Sequence, residues 1–534
     1  MALDLNAAIS LLLPLRGTTQ TDLKRVDKGT GPLSFTRATT ATRLNPDTNL
    51  IESVASGDLR EDGRQYLNRL LYSEDFSQAA WTKTNIAVSN DSVPGPNGKI
   101  GAAQTLTAAA ANGTCLQALV DISRARYGSI YLQRKTGSGT IQITLDGGST
   151  WTTVAVTAAW TRLGAGQTLA NPSFGVRIVT SGDAVYAWGG QVNDGSSATR
   201  YRKSAASPAY APLGVLIEGQ RTNLLLWSRD MTNAAWAKTN MTAALDQTGE
   251  DGGANSASSL LATAIDATCL QALTQASNPF SGSISIKRLI GAGAVSITLD
   301  GGATWIDVTA SLSASVWYRA LKEDQTLANP SFGIKMAVSG DKVAVDYSGV
   351  EQGAFASSRI PTTSAAVTRN ADILSFPISG NISEGAFTLM FDYVRHYLYP
   401  TSFPNNSPVT IGTYATNSYI GFGGYQNLAI NLLVAFAGIW DVAASFNQTM
   451  VLDVSCALAL RMAADKKTFN LVKDGILDST TPVSPNAKSA NWSGATAYIG
   501  CNDGGTSSDQ RIHFKKLLLF NRALTDAEMI AITA

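Results

Sequence analysis

The sequence predicts an all-β protein built of antiparallel sandwiches, two of which are copies of one another. Three observations carry this. One phrase occurs twice, as "NRLLYSEDFSQAAWTKTN" from Asn68 to Asn85 and as "NLLLWSRDMTNAAWAKTN" from Asn223 to Asn240, 155 residues apart. Short runs alternate apolar and polar residues between glycine-rich turns, the pattern of half-buried strands. Helical periodicity is scarce before the C-terminal residues.

The duplication continues in order along the chain. "TCLQAL" around Cys115 returns around Cys269, "ITLDGGSTW" (Ile143 to Trp151) returns as "ITLDGGATW" (Ile297 to Trp305), and "QTLANPSFG" repeats letter for letter from Gln167 and Gln325. Collinear matches at this spacing mean a whole duplicated domain, because solenoid repeats run at about 20 to 50 residues. Within each copy, Ile141, Ile143 and Leu145, and again Val295, Ile297 and Leu299, alternate with smaller polar residues. "GSIYLQR" and "GSISIKR" predict a second strand, "SFGVRIV" and "SFGIKMAV" a third. The Asp-Gly-Gly after the first strand predicts a tight hairpin, since glycine accepts positive φ. Short strands at this density in about 150 residues predict a jelly-roll sandwich, placed at 67–210 and again at 211–368.

Residues 369–534 follow another layout and predict a third sandwich. "GAFTLMFDYV" alternates Phe387, Leu389, Phe391 and Tyr393; "TFNLVKDGILD" turns at Asp474-Gly475; the chain closes with an apolar strand and a short helix whose capping box runs from Thr525 to Glu528. Residues 1–66 are polar and turn-rich, with too little apolar material for a core of their own, and are read as an extended N-terminal attachment arm.

Composition narrows the function. Of 534 residues 44% are hydrophobic and 15% charged, which excludes a disordered chain. Forty-one basic residues against 40 acidic ones, without a basic block, argue against nucleic-acid binding. "AAISLLLPL" (Ala7 to Leu15) follows Asp4 and is broken by Pro14, so it reads as a short helix or packing segment rather than a signal peptide. No run reaches the roughly 18 to 20 apolar residues of a membrane span, and a soluble protein is expected. Cys115 and Cys269 occupy equivalent positions; Cys456 and Cys501 share the last region and could pair; no C-x-x-C pair supports a zinc site.

"FTRATTATRLN", "RLLYSEDFSQAAWTKTN", "EGQRTNLLLWSRDMTNAAWAKTN" and "SSRIPTTSAAVTRNADI" resemble phrases of tailed-bacteriophage virion surface proteins of the tail-fibre and head-fibre type. There they surround carbohydrate-binding-module-like jelly rolls. The C-terminal "GAFTLMFDYV", "LVKDGILD", "AYIGCNDGG" and "KKLLLFNRALTDAEM" are similar to laminin-G/concanavalin A-like sandwiches. The resemblance implies a projecting fibre or spike at the virion surface, a homo-oligomer with a trimer favoured, whose arm contacts other virion proteins and whose sandwiches bind host-surface glycans. Alternatives are a capsid decoration or collar-attached head fibre with a purely structural role, and a polysaccharide hydrolase.

The glycan-binding candidates are Asp146 with Trp151, Asp300 with Trp305, and Trp492 with Asp503. An indole face stacks on a sugar ring while a carboxylate accepts its hydroxyl hydrogen bonds. The competing reading is that Trp151 and Trp305 close their hairpins by cross-strand packing. Trp81 and Trp236, five residues after Phe76 and Met231, are expected in the core, and Trp440 joins Trp492 as an aromatic of the last sandwich. Asp503 alone does not make a Ca²⁺ site, so no metal or other cofactor is expected. The two histidines, His396 and His513, lie in strand-like surroundings, and no G-x-S-x-G, H-E-x-x-H or P-loop motif occurs, so no catalytic residues are assigned.

Overall fold

A computed structural model of the chain describes residues 8–12, 25–26, 34–91, 93–121, 123–199, 201–378, 385–397, 409–412, 418–424, 429–436, 439–453, 455–465, 467–483, 496–500 and 511–533. The fold is all-β. Its contacts divide it into two compact units, one of residues 64–211 with 311–318 and one of the remainder.

The unit of residues 64–211 holds the first copy of the duplicated module, two five-stranded antiparallel sheets. One runs Thr152–Val154, Ile141–Thr144, Ser173–Ile178, Gly113–Ala118, Thr82–Thr84; the other runs Thr161–Leu169, Arg124–Thr136, Ala184–Asp194, Gln104–Ala108, Ile86–Asn90. The alternation expected from sequence is what closes them: Ile141, Ile143 and Leu145 are all buried, in one core with Phe174, Val176, Ile130 and Leu132. Phe174 fits only because Gly128 lies opposite, where a Cβ would come within 2.3 Å of the ring.

The second copy repeats this layout strand for strand. Its sheets run Ile306–Asp307, Val295–Thr298, Ser331–Met336, Ala267–Ala272, Ala237–Thr239 and Tyr318–Leu327, Asn278–Ile290, Lys342–Gln352, Ala257–Ala262, Met241–Gln247. Both copies break register at the same two places, between Ser129 and Tyr131 and between Arg134 and Thr136 in the first, and between Ser283 and Ser285 and between Arg288 and Ile290 in the second.

The C-terminal sandwich shares the larger unit with the second copy. One sheet contains Phe387–Arg395 between Ser455–Met462 and Arg511–Phe520; the other passes from Ile373–Pro377 through Thr496–Ile499 and Val409–Ile411 to Ile439–Thr449. Thr525 and Glu528 exchange the expected capping-box bonds at the start of the helix Asp526–Thr533. The first 66 residues contribute strands to the same sheets. Ala8–Leu12, which forms a strand and not a helix, pairs with Arg511–Phe520, and Ser34–Thr36 pairs with Ile373–Pro377. Phe35 and Leu59 enter the core between them. Among the described residues, no helix is long and apolar enough to cross a membrane.

Candidate functional site

The Asp-Gly-Gly elements are not tight hairpins. Ile143 pairs with Thr152, so the loop runs from Thr144 to Trp151. Its order comes from one carboxylate. Asp146 accepts from Thr144 Oγ1 at 2.8 Å, Thr150 N at 2.9 Å and Gln167 Nε2 at 3.3 Å, and also from Thr150 Oγ1. Asp300 repeats this with Thr298, Thr304 and Gln325. Burial alone would raise both carboxyl pKa values, but the Thr150 and Thr304 hydrogen bonds outweigh it and hold them far below the usual range. Trp151 and Trp305 are half-buried. The Arg177 guanidinium lies 4.2 Å from the Trp151 ring centre, and Lys335 Nζ lies 5.0 Å from that of Trp305.

The twice-used phrase is a clasp. Asn68 Nδ2 donates to Gly190 O and Arg202 O at 2.8 and 2.9 Å, while its Oδ1 accepts from Leu70 N and Val192 N. Asn223 makes the same four bonds, to Ser348 O, Ile360 O, Leu225 N and Val350 N. Trp81 and Trp236 are 1% exposed, in the core as expected, and each indole N–H donates to a backbone carbonyl nine residues back. Lys83 and Lys238 close the turn by donating to its carbonyls. Shared residues are therefore fold-making residues.

Residues around Arg37, Arg60, Glu218 and Asp372 meet in a buried charge network. Arg37 pairs with Asp372 at 3.0 Å and Arg60 with Glu218 at 3.0 Å, all four side chains at 0% exposure. Arg60 also reaches Asp372, and Arg369 approaches Glu218 at 3.6 Å. Burial alone would raise the Glu218 pKa, but the charges of Arg369, Arg60 and Arg511 outweigh it and hold the carboxyl well below its ordinary value.

A cleft of about 500 Å³ opens in the larger unit. One wall is the hairpin Ala41–Leu44 with Ile51–Val54, fixed by Ile51 N donating to Glu250 O at 3.0 Å. The opposite wall belongs to the second jelly roll and holds Arg229, Asp251, Tyr347 and Arg359. Arg229 donates to Asp251 at 2.7 Å and to Asp346 at 2.8 Å, and its guanidinium lies 4.2 Å from the Tyr347 ring centre. Arg359 pairs with Glu250. Burial would raise the Asp251 carboxyl, but hydrogen bonds from Arg229 and Ser256 dominate and bring it down to about 2. The charges of this wall are thus matched in place, and the rim adds the exposed Thr40, Ser53 and Thr368.

Tyr347 marks this cleft. It sits at the Ser283/Ser285 register break with φ of 44°, where the first copy has Gly189 at φ of 64°. A tyrosine in the left-handed region costs about 1 kcal/mol or more, so the ring is kept against the local backbone preference. Sequence reasoning missed Tyr347, Arg229 and Asp251 by looking for what the copies share. The available signal was a mismatch, a tyrosine in the position of a glycine.

Other candidates lie elsewhere. His396 and His513 face each other, Nε2 to Nδ1, at 2.5 Å. Cys115, Cys269 and Cys456 are buried free thiols, and burial pushes the first two up to about 12; Cys501 lies outside the described residues. Trp492 and Asp503 also lie outside them, and Trp440 is placed only as a residue of the strand Ile439–Thr449. Among the described residues no group of three His, Cys, Asp or Glu could hold a metal.

No protein-family profile and no curated protein matches the chain. Solved structures do. The CBM40 of Ruminococcus gnavus IT-sialidase bound to α2,3-sialyllactose matches at 14% identity and a TM-score of 0.23, over 28% of this chain and 83% of that one. Domain 4 of AbnA, a GH43 extracellular arabinanase from Geobacillus stearothermophilus in complex with arabinotriose, matches at 14% and 0.23, over 31% and 73%. The heptameric SAP-like pentraxin from Limulus polyphemus matches at 14% and 0.23, over 30% and 75%. Each is similar to under a third of this chain.

Proposed function

We propose that this protein is a non-catalytic, glycan-binding β-sandwich protein of a tailed-phage virion surface, displayed as a projecting fibre or spike. The observation that carries the binding half is Tyr347, an aromatic ring kept in a left-handed conformation in the wall of a cleft rimmed with hydroxyls. Mixed aromatic and polar clefts of this size suit small ligands such as sugars. Hydrolysis is the weaker reading. A glycosidase needs two carboxyl groups, one with a raised pKa, whereas among the described residues Asp251 is the single carboxylate lining this cleft and it is ionised from about pH 2. The virion half rests on the recurrent phrases, with residues 1–66 and their neighbours contacting other virion proteins and the chain forming a trimer. A purely structural capsid-decoration or head-fibre role remains the second reading, since the buried network and clasps serve a rigid spacer equally.

The test is a glycan array with the full chain and with Tyr347→Gly. Glycine is the first copy's own residue at this place, so the backbone accepts it, but the variant also gives up a ring that is only 6% exposed and packs under Arg229. Binding should fall at least tenfold, thermal stability should drop by about 2 to 3 kcal/mol net of the strain relieved, and circular dichroism should show the fold retained at the assay temperature. Binding that survives the substitution, or no binding by the wild-type chain at millimolar glycan, leaves the structural reading in its place. Light scattering of the purified chain tests the trimer, and antibody labelling of particles tests the virion surface.

A further inference from the structure

We propose that the first copy of the module carries a second ligand site, with a different selectivity: it takes a saccharide bearing an acidic group. This rests on the glycan reading of the module and extends it to a cleft of about 380 Å³ whose lining includes Glu74, Asp75, Asn90, Lys99, Lys203 and Ser204.

The cleft shares two equivalent lining positions with the Tyr347 cleft of the other copy. Glu74 corresponds to Arg229 in the repeated phrase, and Lys203 to Pro361. The adjoining turn is also the same: Gly95 N donates to Lys99 O and Gly98 N to Gly95 O, as Gly249 N does to Gly253 O and Gly252 N to Gly249 O. Lys99 therefore stands where the second copy has Gly253. Two lysines have replaced, or been replaced by, a proline and a glycine on an unchanged backbone.

What the cleft offers a ligand is set by which groups are already engaged. Asp75 accepts from Ser77 N and Oγ, from Gln78 Nε2 and from Gln104 Nε2, so its oxygens are used by its own turn. Glu74 accepts from Tyr201 Oη at 3.1 Å and Lys203 Nζ at 2.6 Å. Glu74 keeps spare acceptor sites at 19% exposure, and the more exposed groups are donors. The Lys203 side chain is 66% exposed, with two further N–H bonds to give. Lys99 Nζ is exposed and has no partner among the described residues. Ser204, only 5% exposed, has a hydroxyl with no hydrogen-bond partner, although the corresponding Thr362 donates to Leu225 O at 2.6 Å. A buried unmatched hydroxyl, the Lys99 ammonium and the spare N–H bonds of Lys203, whose charge Glu74 balances, favour an acceptor-rich, negatively charged partner. In the Tyr347 cleft Arg229 and Arg359 are both paired with carboxylates and, among the described residues, nothing there corresponds to the Lys99 ammonium, which favours a neutral sugar.

The experiment is calorimetry of the full chain with galacturonate trisaccharide and with galactotriose. The acidic sugar should bind at least tenfold more tightly than the neutral one. That affinity should weaken at least tenfold in Lys99→Glu, weaken several-fold between 50 and 500 mM salt, and stay unchanged in Tyr347→Gly. Lys99 is exposed, so its variant keeps the fold, which circular dichroism verifies. Equal binding of the two sugars, or full binding by Lys99→Glu, overturns the proposal. Tyr347-dependent binding of neutral glycans without any galacturonate binding removes only this second site; no saccharide binding at all removes the glycan reading with it.

Discussion

Arg37 Nη1 donates to Asp372 Oδ1 at 3.0 Å across 335 residues of sequence, and neither side chain reaches solvent. Asp372 also accepts from Arg60 and, at 3.0 Å, from the backbone N–H of Glu218. Glu218 in turn accepts from Ser358 N at 2.8 Å. One pair of carboxylates thus ties the N-terminal segment, both ends of the second jelly roll and the start of the last sandwich into one folding unit.

Asp372→Asn should therefore be among the most damaging single substitutions in the chain. It removes one charge and leaves Arg37 and Arg60 short of a counter-ion where water cannot replace it. Breaking a buried pair in this way costs about 3 to 5 kcal/mol. Urea unfolding followed by hydrogen exchange should show the loss in residues 34–63 and 212–378. A loss under 1 kcal/mol would mean that the network is dispensable.

The two asparagine clasps give a paired prediction. Asn68→Ala strands Leu70 N, Val192 N and two carbonyls, and Asn223→Ala strands the matching four groups. Buried groups left unpaired cost about 1 to 3 kcal/mol each before relaxation and water entry, so about 3 kcal/mol is expected at either site. Exchange protection should fall only in the unit that holds the substitution. Equal loss in both units would contradict the separate clasps.

Much of this was legible in the sequence because it is local or repeated. Ile141 and Ile143 alternate and are buried; Trp81 and Trp236 recur and fill cores; Thr525 and Glu528 cap the helix. The rest depends on partners that no periodicity reveals. Nothing in Ser34–Thr36 specifies a strand near residue 374, and nothing in Thr40 or Ser53 specifies a cleft wall facing Tyr347. The Asp-Gly-Gly loop is longer than the tight turn its glycines suggest because its length is set by the bonds the Asp146 carboxylate accepts from Thr150 N and Oγ1 and from Gln167 Nε2.

His396 and His513 should make stability pH-dependent. Asp453, His396, His513 and Asp62 form a chain with contacts of 2.6, 2.5 and 2.9 Å. Three such contacts need three protons, and two neutral imidazoles supply two. Burial lowers both histidine pKa values, His396 to about 4, with Arg511 adding repulsion. Near neutrality the proton is therefore missing at one contact, and Asp453, 72% exposed, can turn to water. A folded pKa below the unfolded value near 6.5 means that the unfolded chain takes up protons first. Stability is then flat above about pH 6.5 and falls between 6.5 and 4, by at most about 3 kcal/mol for His396. Unfolding curves of the wild type and His396→Gln across this range should differ in slope; parallel curves would reject the assignment.

Trp151 and Trp305 separate packing from ligand binding. Each indole lies beside a glycine with φ near 100°, Gly148 or Gly302, where an added Cβ would come within 2.9 or 3.0 Å of the ring. On its other neighbours, Trp151 meets Arg177 and Trp305 meets Lys335. These contacts make the indole a strut of the loop that Asp146 or Asp300 organises. Trp151→Ala should cost about 1 to 2 kcal/mol from lost burial and the cation–π contact. Gly148→Ala should cost at least as much, because it forces a side chain into the left-handed region against the ring. Glycan affinity at the Tyr347 cleft should be unchanged in both. If instead Trp151→Ala keeps its thermal midpoint and loses saccharide binding, the indole faces a sugar, and the Asp146 loop becomes a binding site in its own right.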